Sequence, residues 1–159
     1  MAKAMQELMD MKIWFPWRYV TDKDGKVKKL PFAASGGATG TDDTYSSTWV
    51  IYDEAVSAKN KFHAAGVGFK IPKGYYFIDI DHKELTDPLV QTILARHDSY
   101  AEYSVSGAGI HQYGKCDFTQ IPTYLDKKGK IKLDRQFYMK NPHNDLELYI
   151  GGITNRFAA

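Results

Sequence analysis

Residues 75–82, Tyr-Tyr-Phe-Ile-Asp-Ile-Asp-His, decide what fold and what chemistry we expect of this chain. β-Branched and aromatic residues crowd this stretch and Lys73-Gly74 precedes it as a turn, which predicts a β-strand. Because successive side chains of a strand point to opposite faces, Asp79 and Asp81 share one face and the isoleucines share the other. Two carboxylates about 7 Å apart destabilise each other unless a cation lies between them. The stretch therefore predicts either a divalent metal site or a half-exposed strand with solvated acids.

The composition indicates an ordinary globular protein. The chain has 159 residues, of which 43% are hydrophobic and 25% are charged, so we expect one domain, 1–159, with a real core. The net charge of +2 neither demands nor excludes a nucleic-acid partner. The single cysteine, Cys116, excludes an internal disulfide and a multi-cysteine zinc site. No stretch approaches the ~18 apolar residues that span a membrane, and we expect a cytoplasmic protein without a membrane partner.

Local patterns predict alternating helices and hairpins around residues 75–82. The Asp22–Lys26 turn predicts that the strand 12–20 pairs with 27–32, and Pro16 suggests that the strand 12–20 lies at an edge or contains a bulge. The predicted helices are 3–10, a helix capped by Ser46 or Ser47 that ends near Phe62, and 85–97 with Asp87 as cap and Pro88 in its first turn. Residues 66–72 and 75–82 are expected to form a hairpin.

A second stretch, residues 100–114, combines small, hydroxyl and imidazole side chains. It predicts two short strands joined by Gly107-Ala108-Gly109, a turn that permits positive φ and close approach of a ligand to the backbone. Ser104, Ser106 and His111 would then surround the turn and could donate to phosphate oxygens. A β-turn that binds nothing is the alternative.

Acidic and basic residues recur further along the chain. Residues 145–150 predict a strand with Asp145, Glu147 and Tyr149 on one face. Lysines cluster at 26–29, and again at a hairpin tip, 127–130, with Lys132 and Arg135 nearby. Either basic cluster is a solvated surface or a contact for phosphates.

Taken in order, these motifs closely resemble the catalytic motifs of the archaeo-eukaryotic primase superfamily, in particular the primase-polymerase domains of phages and mobile elements. The matching segments are Ile78-Asp-Ile-Asp-His82, Ser104-Val-Ser-Gly-Ala-Gly-Ile-His111, and Leu146-Glu-Leu-Tyr149 with Arg156-Phe157. The N-terminal part is similar as well, through residues 14–18, Lys29 with Pro31, and the segment around Trp49. The resemblance covers nearly the whole chain.

The resemblance implies a role for each motif. The acidic residues Asp79, Asp81 and Glu147 would be catalytic and would bind two Mg²⁺ or Mn²⁺ ions, and no zinc is expected. Residues implied in binding the nucleotide are Ser104, Ser106, Gly107 and His111, with Lys29 and Arg156 as further phosphate or template contacts. Two divalent ions about 3.5–4 Å apart suit an in-line phosphoryl transfer to a 3′-hydroxyl.

The resemblance also implies an α+β fold with two lobes. A small N-terminal α/β lobe would pack on an antiparallel sheet that resembles an RNA-recognition motif, with the active site in the cleft between them. Relatives usually continue beyond the position of Arg156-Phe157, so the chain would be either a catalytic fragment of a longer replication protein or a minimal stand-alone protein.

The function that follows is a template-directed DNA primase/polymerase that transfers nucleotides from nucleoside triphosphates to a 3′-hydroxyl. Its expected partners are a single-stranded DNA template, nucleoside triphosphates, and a helicase domain or protein. One alternative is a catalytically incomplete module that binds nucleotide or single-stranded DNA. The other is a replication-initiator nickase, which needs a His-x-His metal site and a nucleophilic tyrosine on a helix, and His111 has no such histidine partner.

Overall fold

A computed structural model describes residues 3–137, 139–141 and 143–159 of the chain. The helices are α1 (Lys3–Asp10), α2 (Tyr52–Phe62) and α3 (Pro88–Arg96), with 3₁₀ helices at Asp43–Thr48 and Phe118–Gln120. The strands are β1 (Trp14–Thr21), β2 (Val27–Pro31), β3 (Gly66–Lys70), β4 (Tyr75–Asp81), β5 (Tyr100–Tyr103), β6 (Gly109–Lys115), β7 (Thr123–Leu125), β8 (Ile131–Leu133), β9 (Lys140–Asn141), β10 (Leu146–Ile150) and β11 (Phe157–Ala158).

These elements divide between two units. The N-terminal unit comprises Gln6–Lys70 and Asn155–Ala159, and the carboxylate unit comprises Ile71–Thr154 with the described part of Met1–Met5. All strand pairs are antiparallel among the described residues. The predicted α+β fold is therefore confirmed. Every helix in the described ranges is too short or too polar to cross a bilayer.

The N-terminal unit is a four-stranded sheet in the order β11-β3-β1-β2. Its core contains the fully buried side chains of Phe15 and Trp17, and the Trp17 indole N–H donates to the Val67 carbonyl at 3.1 Å. The predicted β1–β2 hairpin is confirmed, but β1 is an internal strand, so the edge position suggested by Pro16 was wrong. The Pro16 carbonyl accepts from Phe32 N–H at 3.0 Å, and the N–H that proline lacks would point to the same side of the strand, just beyond the end of β2 at Pro31.

Two further local expectations for this region were wrong. Residues 66–72 and 75–82 do not form a hairpin, because β3 pairs with β1 and β11 whereas β4 pairs with β6 and β10. The Lys73-Gly74 turn exists, with φ of +90° at Gly74, but it leads from one sheet into the other. The helix expected from Ser46 or Ser47 begins only at Tyr52. Ser46 and Ser47 lie in the 3₁₀ helix Asp43–Thr48, and the β-bridge between Trp14 and Val50 holds the residues between the two helices extended.

The carboxylate unit is a five-stranded sheet in the order β5-β6-β4-β10-β9. One face carries the isoleucines of β4, which pack with Val90, Ile93 and Leu94 of α3. The Asp87 carboxylate accepts from Leu89 N–H at 2.8 Å, which confirms the predicted cap of α3 and leaves Pro88 in the first turn. With the isoleucine face covered, the opposite face of the sheet presents the acidic residues.

Candidate functional site

One row of polar side chains crosses the acidic face of the carboxylate unit from strand to strand. The register pairs Lys140 with Glu147, Glu147 with Asp79, Asp79 with His111, and His111 with Glu102. Residues paired in this way point to the same face of an antiparallel sheet. Residues that are far apart in the sequence therefore form one continuous line across β9, β10, β4, β6 and β5.

An aromatic row lies beside the polar row on the same face. The ring of Phe77 stacks on Tyr149 and on Tyr113, with centroids 5.6 and 4.9 Å apart, and Tyr113 contacts Tyr100 at 5.9 Å. Phe77 and Tyr113 are each 2% exposed. The buried rings give the polar row a rigid, desolvated flank, which strengthens electrostatic interactions along it.

His111 lies between two carboxylates. Its Nε2 is 3.4 Å from Asp79 Oδ1, and its Nδ1 is 3.8 Å from Glu102 Oε1. Glu102 is itself held by two phenols: the Tyr113 hydroxyl donates to Oε1 at 2.9 Å and the Tyr100 hydroxyl donates to Oε2 at 2.8 Å. The imidazole is 4% exposed and is thus fixed in orientation by its neighbours.

The two carboxylates decide the protonation of His111. Burial lowers the pKa of His111, but hydrogen bonds and charges from Asp79 and Glu102 outweigh burial, and the net pKa is raised. For Glu102, burial raises the pKa, but hydrogen bonds from His111, Tyr100 and Tyr113 outweigh it, and the net pKa is lowered. The row thus favours an imidazolium flanked by carboxylates.

Asp81 extends the acidic row at the end of β4. Burial raises the pKa of this carboxyl group, and the nearby charges of Asp79 and Glu147 raise it further. Its backbone partner across β6 is Gly109, which has no side chain to cover the carboxylate. A Cβ at Gly109 would lie 2.5 Å from the Ile80 carbonyl oxygen, so glycine is required for this close strand pairing.

Glu147 is already engaged by a cation. Lys140 Nζ is 2.5 Å from Glu147 Oε1, and the Tyr149 hydroxyl donates to Oε2. The Lys140 side chain is 79% exposed, whereas that of Glu147 is 15% exposed. The ammonium group can therefore leave towards solvent while the carboxylate stays in the row.

The serine-glycine turn has the predicted position between β5 and β6, at the end of the sheet where Asp81 pairs with Gly109. Gly107 has a φ of +73°, and its N–H donates to the Ser104 carbonyl at 2.8 Å. The Ser104 and Ser106 hydroxyls are 3.1 Å apart, and Ser106 Oγ accepts from Ala108 N–H at 3.3 Å. The hydroxyls are thus better placed to receive a ligand than the Gly107 amide.

Lys29 and Arg156 belong to the N-terminal unit and not to the acidic row. Lys29 lies on β2, and its Nζ is 5.0 Å from the centre of a Trp17 ring. Arg156 is exposed and immediately precedes β11. Asp79, Asp81, Glu147, Ser104, Ser106, Gly107 and His111 all lie in the carboxylate unit.

The acidic row is a surface rather than a ready-made metal cage. Among the described residues, no group of three or more His, Cys, Asp or Glu side chains is arranged to hold a metal ion. A cavity of about 780 Å³ and another of about 600 Å³ are lined by none of the three acids or His111. Asp79 Oδ1, however, is buried and accepts no hydrogen bond of ordinary geometry, although His111 Nε2 lies 3.4 Å away. A buried carboxylate oxygen in this state would be stabilised by a cation.

Comparison with known proteins found a phage protein of similar sequence. The DNA primase-polymerase of Nitratiruptor phage NrS-1 is 30% identical over 139 residues, which covers 80% of this chain and 18% of the phage protein. The chain resembles a phage primase-polymerase. It spans less than a fifth of that relative's length. No protein-family model matches the chain.

Sequence reasoning did not identify the support around His111. Glu102, Tyr100 and Tyr113 stand within the stretch 100–114, and the alternation of a strand places Tyr100 and Glu102 on one face. The register that aligns Glu102 with His111 is a property of the sheet, and only the assumption of a hairpin closed by the glycine turn could have suggested it. Lys140 was missed because β9 has only two residues and no strand signal of its own.

Proposed function

We propose that this chain carries the nucleotidyl-transfer core of a DNA primase-polymerase. It would extend a 3′-hydroxyl on a single-stranded DNA template with nucleoside triphosphates. The observation that carries the proposal is the row in which Glu147, Asp79 and His111 are direct neighbours, with Asp81 two residues beyond Asp79. The similarity to a phage primase-polymerase supports the same reaction.

The acidic residues suit divalent metal ions. Asp79 Oδ1 accepts no hydrogen bond of ordinary geometry, and burial together with the charges of Asp79 and Glu147 raises the pKa of Asp81, so a cation would stabilise both carboxylates. We propose that Asp79, Asp81 and Glu147 hold Mg²⁺ or Mn²⁺, which prefer oxygen ligands. When bound, two such ions supply charge neutralisation and orientation for in-line phosphoryl transfer. Glu147 would exchange its Lys140 partner for this role.

Other residues would bind and orient the triphosphate. The Ser104 and Ser106 hydroxyls can donate to phosphate oxygens at the glycine turn, and the Gly107 amide can do so once it releases Ser104. His111 lies between two acids, which raise the pKa of its imidazole and favour the charged form, and the ring can donate from Nε2. Lys29 and Arg156 are proposed as additional phosphate or template contacts.

The test is incorporation of labelled nucleotides on single-stranded DNA, with and without an annealed primer. We expect product from the wild type with Mn²⁺ or Mg²⁺ and a loss of at least about 100-fold in the Asp79→Asn, Asp81→Asn double variant. The matched control is Asp10→Asn, Asp24→Asn, which removes two exposed carboxylates elsewhere and should keep full activity. Equal activity in all three proteins would refute the proposal.

A nucleotide-binding module without catalysis is the second candidate. The observation that favours it is that the Ser104 and Ser106 hydroxyls, which can donate to phosphate, lie together at 3.1 Å, whereas the described His, Cys, Asp and Glu side chains form no ready group of three metal ligands. The discriminating result is a rise in melting temperature with a triphosphate and Mn²⁺ while no product forms, since a ligand that binds only the folded state stabilises it. Loss of this rise in the Asp79→Asn, Asp81→Asn variant would place the nucleotide at the acidic row.

A further inference from the structure

The β7–β8 hairpin stands apart from both larger sheets. β7 and β8 pair only with each other in the described chain, in the register Tyr124 with Lys132 and Leu125 with Ile131. Leu125 is 67% exposed and Ile131 is 38% exposed, so this face of the hairpin has little cover. An isolated two-stranded hairpin is only marginally stable in water, and a bound partner would stabilise it.

The other face of the hairpin combines an aromatic ring with cations. Because side chains alternate along a strand, Tyr124 and its partner Lys132 share this face. The Arg135 guanidinium lies 5.1 Å from the centre of the Tyr124 ring. The tip adds Lys127, Lys128 and Lys130, which are all exposed.

The β7–β8 hairpin carries more positive than negative charge: residues 123–135 contain five basic side chains and two acidic ones, Asp126 and Asp134. None of the ion pairs shown for the described residues involves the lysines at 127, 128, 130 or 132. Asp126 Oδ1 accepts from Lys130 N–H at 2.9 Å and Lys128 N–H at 2.8 Å, which closes the turn; these bonds, with the charges of Lys132 and Lys130, lower the pKa of the carboxyl group. This acid offsets part of the positive charge at the tip, and the excess of lysines remains available to a ligand.

The β1–β2 hairpin provides an internal comparison. Its turn, Asp22-Lys-Asp-Gly-Lys26, has the same geometry: Asp22 Oδ1 accepts from Asp24 N–H and Lys26 N–H at 3.0 and 2.9 Å, and the glycine φ is +78° against +72° in the second hairpin. The surroundings differ. The β1–β2 hairpin belongs to a four-stranded sheet, and Lys28 forms an ion pair with Asp22 at 2.6 Å. Asp24 also stands where the β7–β8 hairpin has a lysine.

We propose that the β7–β8 hairpin binds single-stranded nucleic acid, with its lysines on the phosphates and Tyr124 against a base. Positive charge along a surface and an aromatic ring on which a base can stack are the two features that bind single strands without sequence preference, and Tyr124 is half-buried with part of its ring exposed. This inference rests on the proposed function only for the identity of the strand, which would be the DNA template. The binding surface itself is independent of the acidic row.

The experiment measures binding of a fluorescein-labelled oligodeoxythymidine of about 20 nucleotides by anisotropy, over a range of salt concentrations and in EDTA. We expect Lys127→Gln, Lys130→Gln to weaken binding about ten-fold at 0.1 M salt and to reduce the slope of log K against log salt by about 1 to 1.4, the value for two lost phosphate contacts. The matched control, Lys23→Gln, Lys26→Gln, changes the equivalent positions of the other hairpin and should alter binding less than two-fold.

A second variant tests the aromatic contact. Tyr124→Leu keeps the charge, so we expect binding to weaken at least about five-fold with an unchanged salt slope. Circular dichroism and the melting temperature establish that each variant is folded. Equal losses in the two lysine variants, or none in either, overturn the proposal, as does an unaffected Tyr124→Leu variant.

Failure of this proposal can be told apart from failure of the proposed function. Binding is measured without metal or nucleotide, so the inference would stand even if the protein bound DNA through the hairpin but incorporated no nucleotide. If the wild type incorporated nucleotides and the Lys127→Gln, Lys130→Gln variant bound DNA like the wild type, the proposed function would stand and the inference would fail.

Discussion

The carboxyl group of Asp81 is less acidic than an ordinary aspartate because burial and the charges of Asp79 and Glu147 raise its pKa. A raised pKa means that the ionised form is disfavoured in the folded state, so this carboxylate lowers stability above its unfolded pKa of about 3.9. We expect Asp81→Asn to raise the melting temperature at pH 7 in EDTA by about 1–3 °C, a small gain because Asp81 is exposed. The gain should vanish near pH 3, where the wild-type group is protonated.

A divalent metal should reverse the order of the two melting temperatures, so that the wild type becomes the more stable protein. With Mn²⁺ the wild type is expected to gain stability that Asp81→Asn does not, as follows from binding to the folded state alone. The Asp24→Asn variant serves as control, because its carboxylate is exposed and outside the row. A wild-type melting curve that Mn²⁺ leaves unchanged would contradict the proposed metal site.

Glu102 supports His111 from the side away from Asp79. The pKa of Glu102 is lowered and that of His111 is raised, so the pair stabilises the fold most between about pH 4.3 and 6.5, above the unfolded pKa of the acid and below that of the imidazole. We expect Glu102→Gln to cost about 1 kcal/mol near pH 5.5 and less at pH 9, because the contribution of the charged imidazole declines as the pH rises through the raised pKa of His111.

Denaturant unfolding at the two pH values measures this difference. Glu84→Gln is the control, because Glu84 is exposed in the loop before α3 and should leave the free energy of unfolding unchanged. A Glu102→Gln cost that is the same at both pH values would show that the carboxylate acts through the phenols of Tyr100 and Tyr113 and not through the imidazole.

At the scale of elements, the pairing of β4 with β6 depends on Gly109. An alanine there would place its Cβ 2.5 Å from the Ile80 carbonyl oxygen, so the strands must separate beside Asp81. We expect Gly109→Ala to cost about 1–3 kcal/mol and to abolish nucleotide incorporation. Gly37→Ala, whose added Cβ meets only Ser35 Oγ at 3.7 Å, should change neither the free energy of unfolding nor incorporation.

The elements were predictable where their signal is local. The Asp-Gly and Lys-Gly turns, the Asp87 cap of α3 and the alternation in β4 and β10 all lie within a few residues, and the structure has them where expected. The choice of partner strand was not predictable. The Lys-Gly turn before Tyr75 has the same sequence signal whether the strands on its two sides pair with each other or join different sheets. Tertiary packing, and not turn chemistry, assigns β3 and β4 to different sheets.

The candidate site was likewise predictable where the signal is local and not where it depends on the pairing of strands. Strand alternation placed Asp79 and Asp81 on one face, and the motif order suggested Glu147 as their companion, which the register now sets directly beside Asp79. The presence of Lys140 on Glu147 and of Glu102 behind His111 could not be read from alternation, since both depend on cross-strand register.

At the scale of the whole molecule, the N-terminal sheet is completed by residues from the far end of the chain. β11 pairs with β3, Phe157 packs on Phe15 with ring centroids 5.5 Å apart, and Asn155 Oδ1 accepts from Lys70 Nζ at 2.9 Å. We expect removal of residues 155–159 to cost about 2–3 kcal/mol, roughly the burial of one phenylalanine.

Hydrogen exchange would show which sheet is destabilised by this truncation. The amides of β1 and β3 should lose protection in the shortened protein, while those of β4 and β6 keep theirs. Removal of Ala159 alone, which lies beyond β11, is the control and should leave exchange unchanged. Uniform loss of protection in both sheets would contradict the division of the chain into two units.

The two ends of the segment Ile71–Thr154 lie near each other at the start of β4. Tyr75 N–H donates to the Pro72 carbonyl at 3.1 Å, and Gly151 N–H donates to the Tyr75 carbonyl at 3.0 Å. The segment is thus an insertion between β3 and β11 of the N-terminal sheet. During synthesis on the ribosome, the inserted unit is complete before residues 155–159 are added. The N-terminal sheet, whose first strands are synthesised earliest, therefore receives its last strand, β11, only after every residue of the acidic row has been synthesised.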